Sequence, residues 1–379
     1  MLKRTPLYAA HEKLGARLIE FGGWEMPVQY SSIVDEHLAV RRAAGLFDIS
    51  HMGELLFAGP GALDFLNHLL TNDVRKLAIG QGQYTLMCKE PGGVIDDLYA
   101  YRIAEHDFLL IVNASRIEPD VAWVKQKITA RPQDRQIAFE NASDRFGAVA
   151  LQGPRAVDFI DRCFSGPSVG GTAVARASDL IKNQIGIFDF RRSQIYVART
   201  GYTGEDGFEV IAPAELIEFV WKIILEAGHA HCLQPAGLGA RDTLRTEVCY
   251  PLYGHELTEQ TTPLEAGLGS FVALEKGDFI GRAALAEQKQ KGVSRKCVAF
   301  KLTEKAPPPR PQYPIWSTGA GATKVGEVVS GTQSPSLGIG IGMGYVPVSL
   351  AKPATAVEIE VRGRRAPAVI VPKPIYRRK

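Results

Sequence analysis

Gly92-Gly93-Val94-Ile95-Asp96-Asp97-Leu98 is the stretch that most restricts what this chain can fold into. Two carboxylates stand directly after a glycine pair, between the apolar runs 84–87 and 98–101. That pattern predicts two strands joined by a tight glycine turn. Side chains alternate along a strand, so Asp96 and Asp97 are expected on opposite faces and not in one pocket. A carboxylate on the inner face is held away from its ordinary charge state by desolvation, which is the mark of a functional group. A solvated Asp-Asp turn is the plain alternative, and the stretch alone leaves both open.

At 379 residues the chain exceeds one ordinary core, so two or three domains are expected. With 45% apolar and 22% charged residues the composition is globular. No apolar run approaches the roughly 20 residues needed to cross a bilayer, so no membrane association is expected. The start, Met1-Leu2-Lys3-Arg4-Thr5-Pro6, lacks a secretion signal and leaves no room for a transit peptide, which predicts a bacterial cytoplasmic setting. Cys88, Cys163, Cys232, Cys249 and Cys297 are isolated and form no CxxC pair, so they read as buried small hydrophobes and not as a metal site. A net charge of +3 makes no case for a nucleic-acid partner.

Read in order, the chain predicts helices over 11–21 and from Ser31 or Ser32 to Ala44, with Gly45 as a C-cap. A strand over 46–55 follows. Within it Asp48 and His51 form either an acid–base pair or a plain edge histidine. A helix over 62–70 precedes the carboxylate hairpin, and a strand over 108–113 follows it. Asn113 either reads the edge of a heterocycle or caps a helix over 114–124. Strand–helix character recurs over 148–159, with Gln152-Gly153-Pro154 as a turn, and another short strand is expected over 195–198. The stretch from Thr200 to Glu209 carries glycines at 201, 204 and 207, which allow tight turns and close approach of a ligand. Its GxxGxxG spacing is neither a dinucleotide fingerprint nor a P-loop. Glu209 points either to solvent or inward, where it needs a partner. A helix over 214–227 leads to Arg241 and Arg245, four apart on one helical face, with Asp242 and Glu247 as pairing candidates. Tyr250, Tyr253 and Phe271 add aromatic surface. From residue 295 short strands (297–302, 325–331, 340–347, 356–363, 366–371) with Gly/Pro turns predict a small separate barrel or sandwich. The whole order predicts an α+β fold.

The chemistry assembled this way is a carboxylate hairpin, an acidic glycine loop and an arginine helix with aromatics. Such a set suits a flat, nitrogen-rich ligand with an anionic tail.

Thr5-Pro6-Leu7-Tyr8, Phe21-Gly22-Gly23-Trp24-Glu25-Met26-Pro27, Asp48-Ile49-Ser50-His51-Met52, Thr71-Asn72-Asp73 and Gly92 to Leu98 all belong to one pattern. It continues through Gly201-Tyr202-Thr203-Gly204-Glu205, Gly237 to Arg245, and Thr332-Gln333-Ser334-Pro335-Ser336-Leu337. In these motifs and their order the chain resembles the aminomethyltransferase family, the T-protein of the glycine cleavage system, over nearly its whole length. The resemblance implies three domains in a clover-leaf around a central folate pocket, the last a β-barrel. They would be a first domain from 1–50 and 145–275, a second from 51–144, and a C-terminal barrel from 285–379. It implies tetrahydrofolate as co-substrate, without metal, flavin or nicotinamide, and a lipoylated H-protein as partner. The implied reaction moves the methylene of the H-protein's aminomethyl group to tetrahydrofolate and releases ammonia. Carried over position by position, Asp96 is the catalytic carboxylate. Tyr84, Asn113, Tyr202, Glu209, Arg241, Tyr250 and Phe271 contact folate, Phe271 standing where the family commonly has tryptophan. A tetrahydrofolate-dependent demethylase and a non-catalytic folate-binding protein are the alternatives within the same fold.

Overall fold

The computed structural model describes residues 2–130 and 136–378. The chain divides into two compact units, Met1–Met87 with Asp96–Arg241, and Cys88–Ile95 with Asp242–Lys379.

The first unit carries three sheets. A small one orders Lys3–Arg4, Trp24–Gln29 and Arg17–Phe21. The helix expected over 11–21 is not there: a helix covers only Tyr8–Lys13, and Arg17–Phe21 is a strand antiparallel to Trp24–Gln29. Gly15, at φ +70°, ends the helix, and left-handed Gly22 and Gly23 turn the hairpin, so glycine punctuation overrides the amphipathic pattern. The next helix, Ile33–Arg42, begins as expected. Ser32 is extended, and its hydroxyl accepts the Asp35 amide at 3.1 Å. Gly45 is not its C-cap; Ala43 holds that place, and Gly45 lies inside the strand Ala44–Asp48.

The run 46–55 likewise splits. Ala44–Asp48 joins a seven-stranded sheet, whereas Gly53–Ala58 joins a five-stranded one, the chain turning at Ile49 to Met52. The seven-stranded sheet runs Gly170–Gly171, Ile185–Phe190, Ser193–Ala198, Gly207–Pro213, Phe146–Gln152, Ala44–Asp48, Leu233–Pro235. The helix Ile217–Gly228 buries Ile217, Val220, Trp221 and Ile224 in the core this sheet shares with Phe159, Phe188 and Phe208. Those four lie three, four and seven apart, one apolar stripe of a helix.

The five-stranded sheet orders Gly82–Cys88, Val94–Arg102, Asp107–Val112, Gly53–Ala58 and Ala138–Asn141. After Asn113 comes a single turn, Ala114–Arg116, and only then the helix Ile117–Ala130.

In the second unit six strands close a barrel in the order Arg295–Leu302, Gly340–Pro347, Lys324–Gln333, Pro314–Trp316, Ala356–Val361, Arg364–Val371. Val298, Phe300 and Leu302 alternate into its core with Ile315, Val328 and Ile359. Pro314–Trp316 was not legible in the sequence, being three residues long and proline-led. The glycine turn also belongs to this unit. Gly92 has φ +90°, and a Cβ on Gly93 would lie 2.0 Å from the Glu259 carbonyl oxygen, so neither position admits a side chain. Four cysteines are buried as expected, but Cys232 is exposed because it ends a helix in left-handed backbone. Among the described residues no helix is long and apolar enough to cross a membrane.

Candidate active site

Asp96 and Asp97 sit near the start of the strand Val94–Arg102, at 0% and 9% exposure, so the solvated-turn alternative fails. Antiparallel register pairs Tyr99 with Ile111, which sets Asn113 opposite Asp97 at the mouth of the neighbouring strand. The Asn113 amide N–H donates to Asp96 Oδ2 at 3.0 Å. Its Nδ2 donates to Asp96 Oδ1 at 2.8 Å, to Asp97 Oδ1 at 3.0 Å and to the Asp97 carbonyl at 3.0 Å. The expectation that the two carboxylates have separate surroundings is thereby corrected. They do alternate, but one amide just past the strand end reaches both. The Asn113 side chain makes no helix-capping bond, so the capping alternative fails.

The two faces of the strand differ. Asp96 lies toward the helix Ile117–Ala130, with Asp120 and Arg116 for neighbours. Asp97 accepts the Tyr84 hydroxyl at 2.8 Å. Burial first, and then the charge of Asp96, push Asp97 up to about 7, while the hydrogen bonds from Tyr84 and Asn113 pull it back. Tyr84 itself is raised well above the phenol range by burial and by Asp97, with Tyr202 adding to the effect. The carboxylate that accepts the Tyr84 hydroxyl is therefore Asp97; Asp96, expected to carry the chemistry, shares Asn113 with it.

On the seven-stranded sheet, Glu209 is not solvated. Its Oε2 accepts the Thr200 hydroxyl at 2.6 Å, and Tyr101 OH lies 3.0 Å from that same hydroxyl. The intervening loop is locked from below. Gln152 Nε2 donates to the Thr200 carbonyl at 3.0 Å, and Thr203 donates to Gln152 Oε1 at 2.9 Å. A Cβ on Gly201 would stand 1.9 Å from Gln152 Oε1, so any other residue here would displace the glutamine that holds the loop. Arg41 completes the lock, donating to the Thr203 carbonyl at 2.8 Å and to Glu205 at 3.0 Å in a buried ion pair. The Arg241 guanidinium stands 4.6 Å from the Tyr202 ring centre. Its Nη1 is buried with no acceptor. Burial lowers the Arg241 pKa, and Glu209 and Tyr202 act against that.

Other expectations resolve differently. Arg245 does pair with Asp242, at 2.7 Å, and also with Glu256, at 3.0 Å. Glu247 instead accepts the Ser336 hydroxyl at 2.8 Å and that of Ser334. Asp48 Oδ2 takes its partners from across the fold, Thr5 at 2.7 Å and His11 at 2.9 Å, while Oδ1 accepts the Ser50 amide at 2.8 Å. The Asp48–His51 pair is not formed, because those donors occupy the carboxylate and leave His51 Nδ1 buried without a partner. Tyr250 and Phe271 lie in the second unit. The Tyr250 amide donates to the Arg245 carbonyl at 3.0 Å, and Phe271 ends the short turn Gly269–Phe271, half-buried. Sequence reasoning missed Tyr101, Gln152, Arg41 and Asp120, whose partners are all distant in sequence. Among the described residues no group of three or more His, Cys, Asp or Glu could hold a metal ion.

Two family models cover this chain: the GCVT N-terminal domain over residues 7–276 and the glycine cleavage T-protein C-terminal barrel domain over residues 295–377. The aminomethyltransferase of Symbiobacterium thermophilum is 46% identical over 99% of this chain and 98% of its own length. That of Bacillus pumilus is 45% identical over the full length of both. The crystal structure of glycine cleavage system aminomethyltransferase T from Bartonella henselae superposes with a TM-score of 0.89 at 33% identity, covering 99% of this chain and 98% of that one. The chain belongs to the glycine cleavage T-protein, or aminomethyltransferase, family.

Proposed function

We propose that this site passes the methylene of an aminomethyl group to tetrahydrofolate, taking it from a lipoyl-bearing H-protein and releasing ammonia. The chain is an aminomethyltransferase of the glycine cleavage system. The observation that carries the finer reading is the Tyr84–Asp97–Asn113 group, built around the buried Asp97, set with Tyr202, Glu209 and the unpaired Arg241 Nη1.

These groups fit a reduced pterin. Thr200 holds Glu209 Oε2, which orients the carboxylate to accept N–H groups from an aminopyrimidine edge. Arg241 Nη1 is a buried donor in want of an acceptor, which a pterin carbonyl or a carboxylate tail supplies. Tyr202 lies beneath the guanidinium and offers an aromatic surface for stacking.

The folate supplies two nucleophilic nitrogens, which end bonded to the transferred carbon. That carbon's bonds to sulfur and to the amino nitrogen break, and sulfur leaves as the thiol. What the protein contributes is orientation and an acceptor for one proton. Asp97, poised near neutrality, accepts the proton that a folate nitrogen loses on forming its bond to carbon. As a carboxylate it also stabilises positive charge developing at the departing nitrogen. Tyr84 and Asn113 fix the direction in which its oxygens face. Asp96, the carboxylate expected from the motif, anchors Asn113.

The test is ammonia release from aminomethyl-loaded H-protein with and without tetrahydrofolate. Stimulated release is expected; equal release with and without folate overturns the reading.

A further inference from the structure

Asp120 lies on the helix Ile117–Ala130 and is 0% exposed, yet neither carboxyl oxygen has a hydrogen-bond donor. An ionised carboxylate in that position is several kcal/mol out of balance, so the group must hold a proton or share one. The helix packs on the Asp96 face of the five-stranded sheet. A Cβ on Gly53 would meet Ile117 at 2.6 Å and Val112 at 2.8 Å, and the register continues from Val112 to Leu98 on the same face as Asp96. The two carboxyls are within hydrogen-bonding reach of each other. Both cannot be charged there.

The surrounding donors decide which one keeps the proton. Asp96 already accepts two N–H bonds from Asn113, at 3.0 and 2.8 Å, and these favour its anion. Asp120 accepts none. We propose that Asp120 is a positioning residue: a neutral carboxylic acid whose O–H donates to Asp96, so that the buried pair carries one negative charge and Asp96 holds Asn113, and through it Asp97, in line. The charged and titratable groups acting on Asp120 are Asp96 and Asp97 on the strand and Arg116 on the turn before its helix. The helix Ala62–Leu69, which also packs here, brings His68 and Asp64, the latter exposed and paired with Arg75 at 2.8 Å. Burial and Asp96 both push Asp120 upward, in keeping with a protonated acid at neutral pH.

The inference rests on the proposed aminomethyl transfer only for its kinetic arm. Infrared difference spectra of wild type against Asp120→Asn at neutral pH should show one protonated-carboxyl C=O band lost. Its absence overturns the proposal whatever the reaction is. Asp120→Asn keeps an N–H donor toward Asp96 and should retain kcat for folate-stimulated ammonia release within about threefold. Asp120→Leu cannot donate and should lose kcat on the order of 100-fold, as misaligned catalytic groups do, with the tetrahydrofolate Kd within about threefold of wild type. Asp120→Ala serves if the leucine variant does not fold. An asparagine variant as slow as leucine, or a leucine variant as fast as wild type, overturns the positioning role. Failure of wild type to release ammonia would overturn the functional reading and leave the spectroscopic arm to decide the proton.

Discussion

Tyr84 donates its hydroxyl to Asp97 across 2.8 Å, and Asp97 in turn sits where burial and Asp96 hold it near pH 7. Removing that donor leaves the anion less stabilised, so the Asp97 pKa must rise. Tyr84→Phe is expected to move the ascending limb of the kcat–pH profile to higher pH. Activity should fall severalfold at pH 7 and recover in mild alkali. An unmoved limb would detach Tyr84 from the reacting carboxylate.

The pair itself is divided by the same reasoning. Asp97→Asn should cost on the order of 10²–10⁴-fold in kcat, the usual worth of a general base, with folate binding kept. Asp96→Asn should act more weakly, through Asn113. If Asp96→Asn proves the more damaging, the carboxylate expected from the motif is the reacting one after all.

Glu209 Oε2 accepts the Thr200 hydroxyl, and Arg241 feels its charge. Glu209→Gln should weaken tetrahydrofolate binding by roughly 10-fold or more, since a charged acceptor contributes about 1.5–3 kcal/mol per hydrogen bond. Calorimetric titration reads this directly, and an unchanged Kd would remove Glu209 from the pterin site.

The glycine turn, five of the six barrel strands and the arginine helix were legible because local composition dictates them. Left-handed Gly92 and the crowding at Gly93 permit little else. Alternation along 94–102 separated Asp96 from Asp97 but carried no sign of which face met Tyr84. That depends on the helix Ile117–Ala130 covering one side, a tertiary fact. Asp48 was read with its neighbour His51, yet its partner His11 is 37 residues away. Local spacing proposes pairs, but burial and distant donors choose among them.

His51 is buried with Nδ1 unpaired, and desolvation lowers its pKa from 6.5 to about 4. The unfolded chain therefore binds a proton at this residue between those two values while the folded chain does not. Stability is complete above 6.5 and falls as pH drops toward 4. From pH 7 to pH 5 the contribution amounts to about 2 kcal/mol. Urea unfolding of wild type and His51→Asn at both pH values isolates it: the variant should show that much less acid sensitivity, and equal slopes would refute the assignment.

Glu54 presents the opposite sign. It is 1% exposed, neither carboxyl oxygen has a donor, and burial raises its pKa well above the usual 4.5. Here the folded chain holds a proton that the unfolded chain gives up above its ordinary pKa, so this residue costs stability increasingly as pH rises from 4.5 toward the folded value. Glu54→Gln keeps the shape and removes the ionisation. Its melting temperature should exceed that of wild type at pH 8 and approach it at pH 5, where the unfolded carboxyl is closer to half-protonated. The amide brings its own unmet donor, so the gain is read as the difference between the two pH values and not as either one alone. A gain independent of pH would show that Glu54 is not protonated in the folded chain.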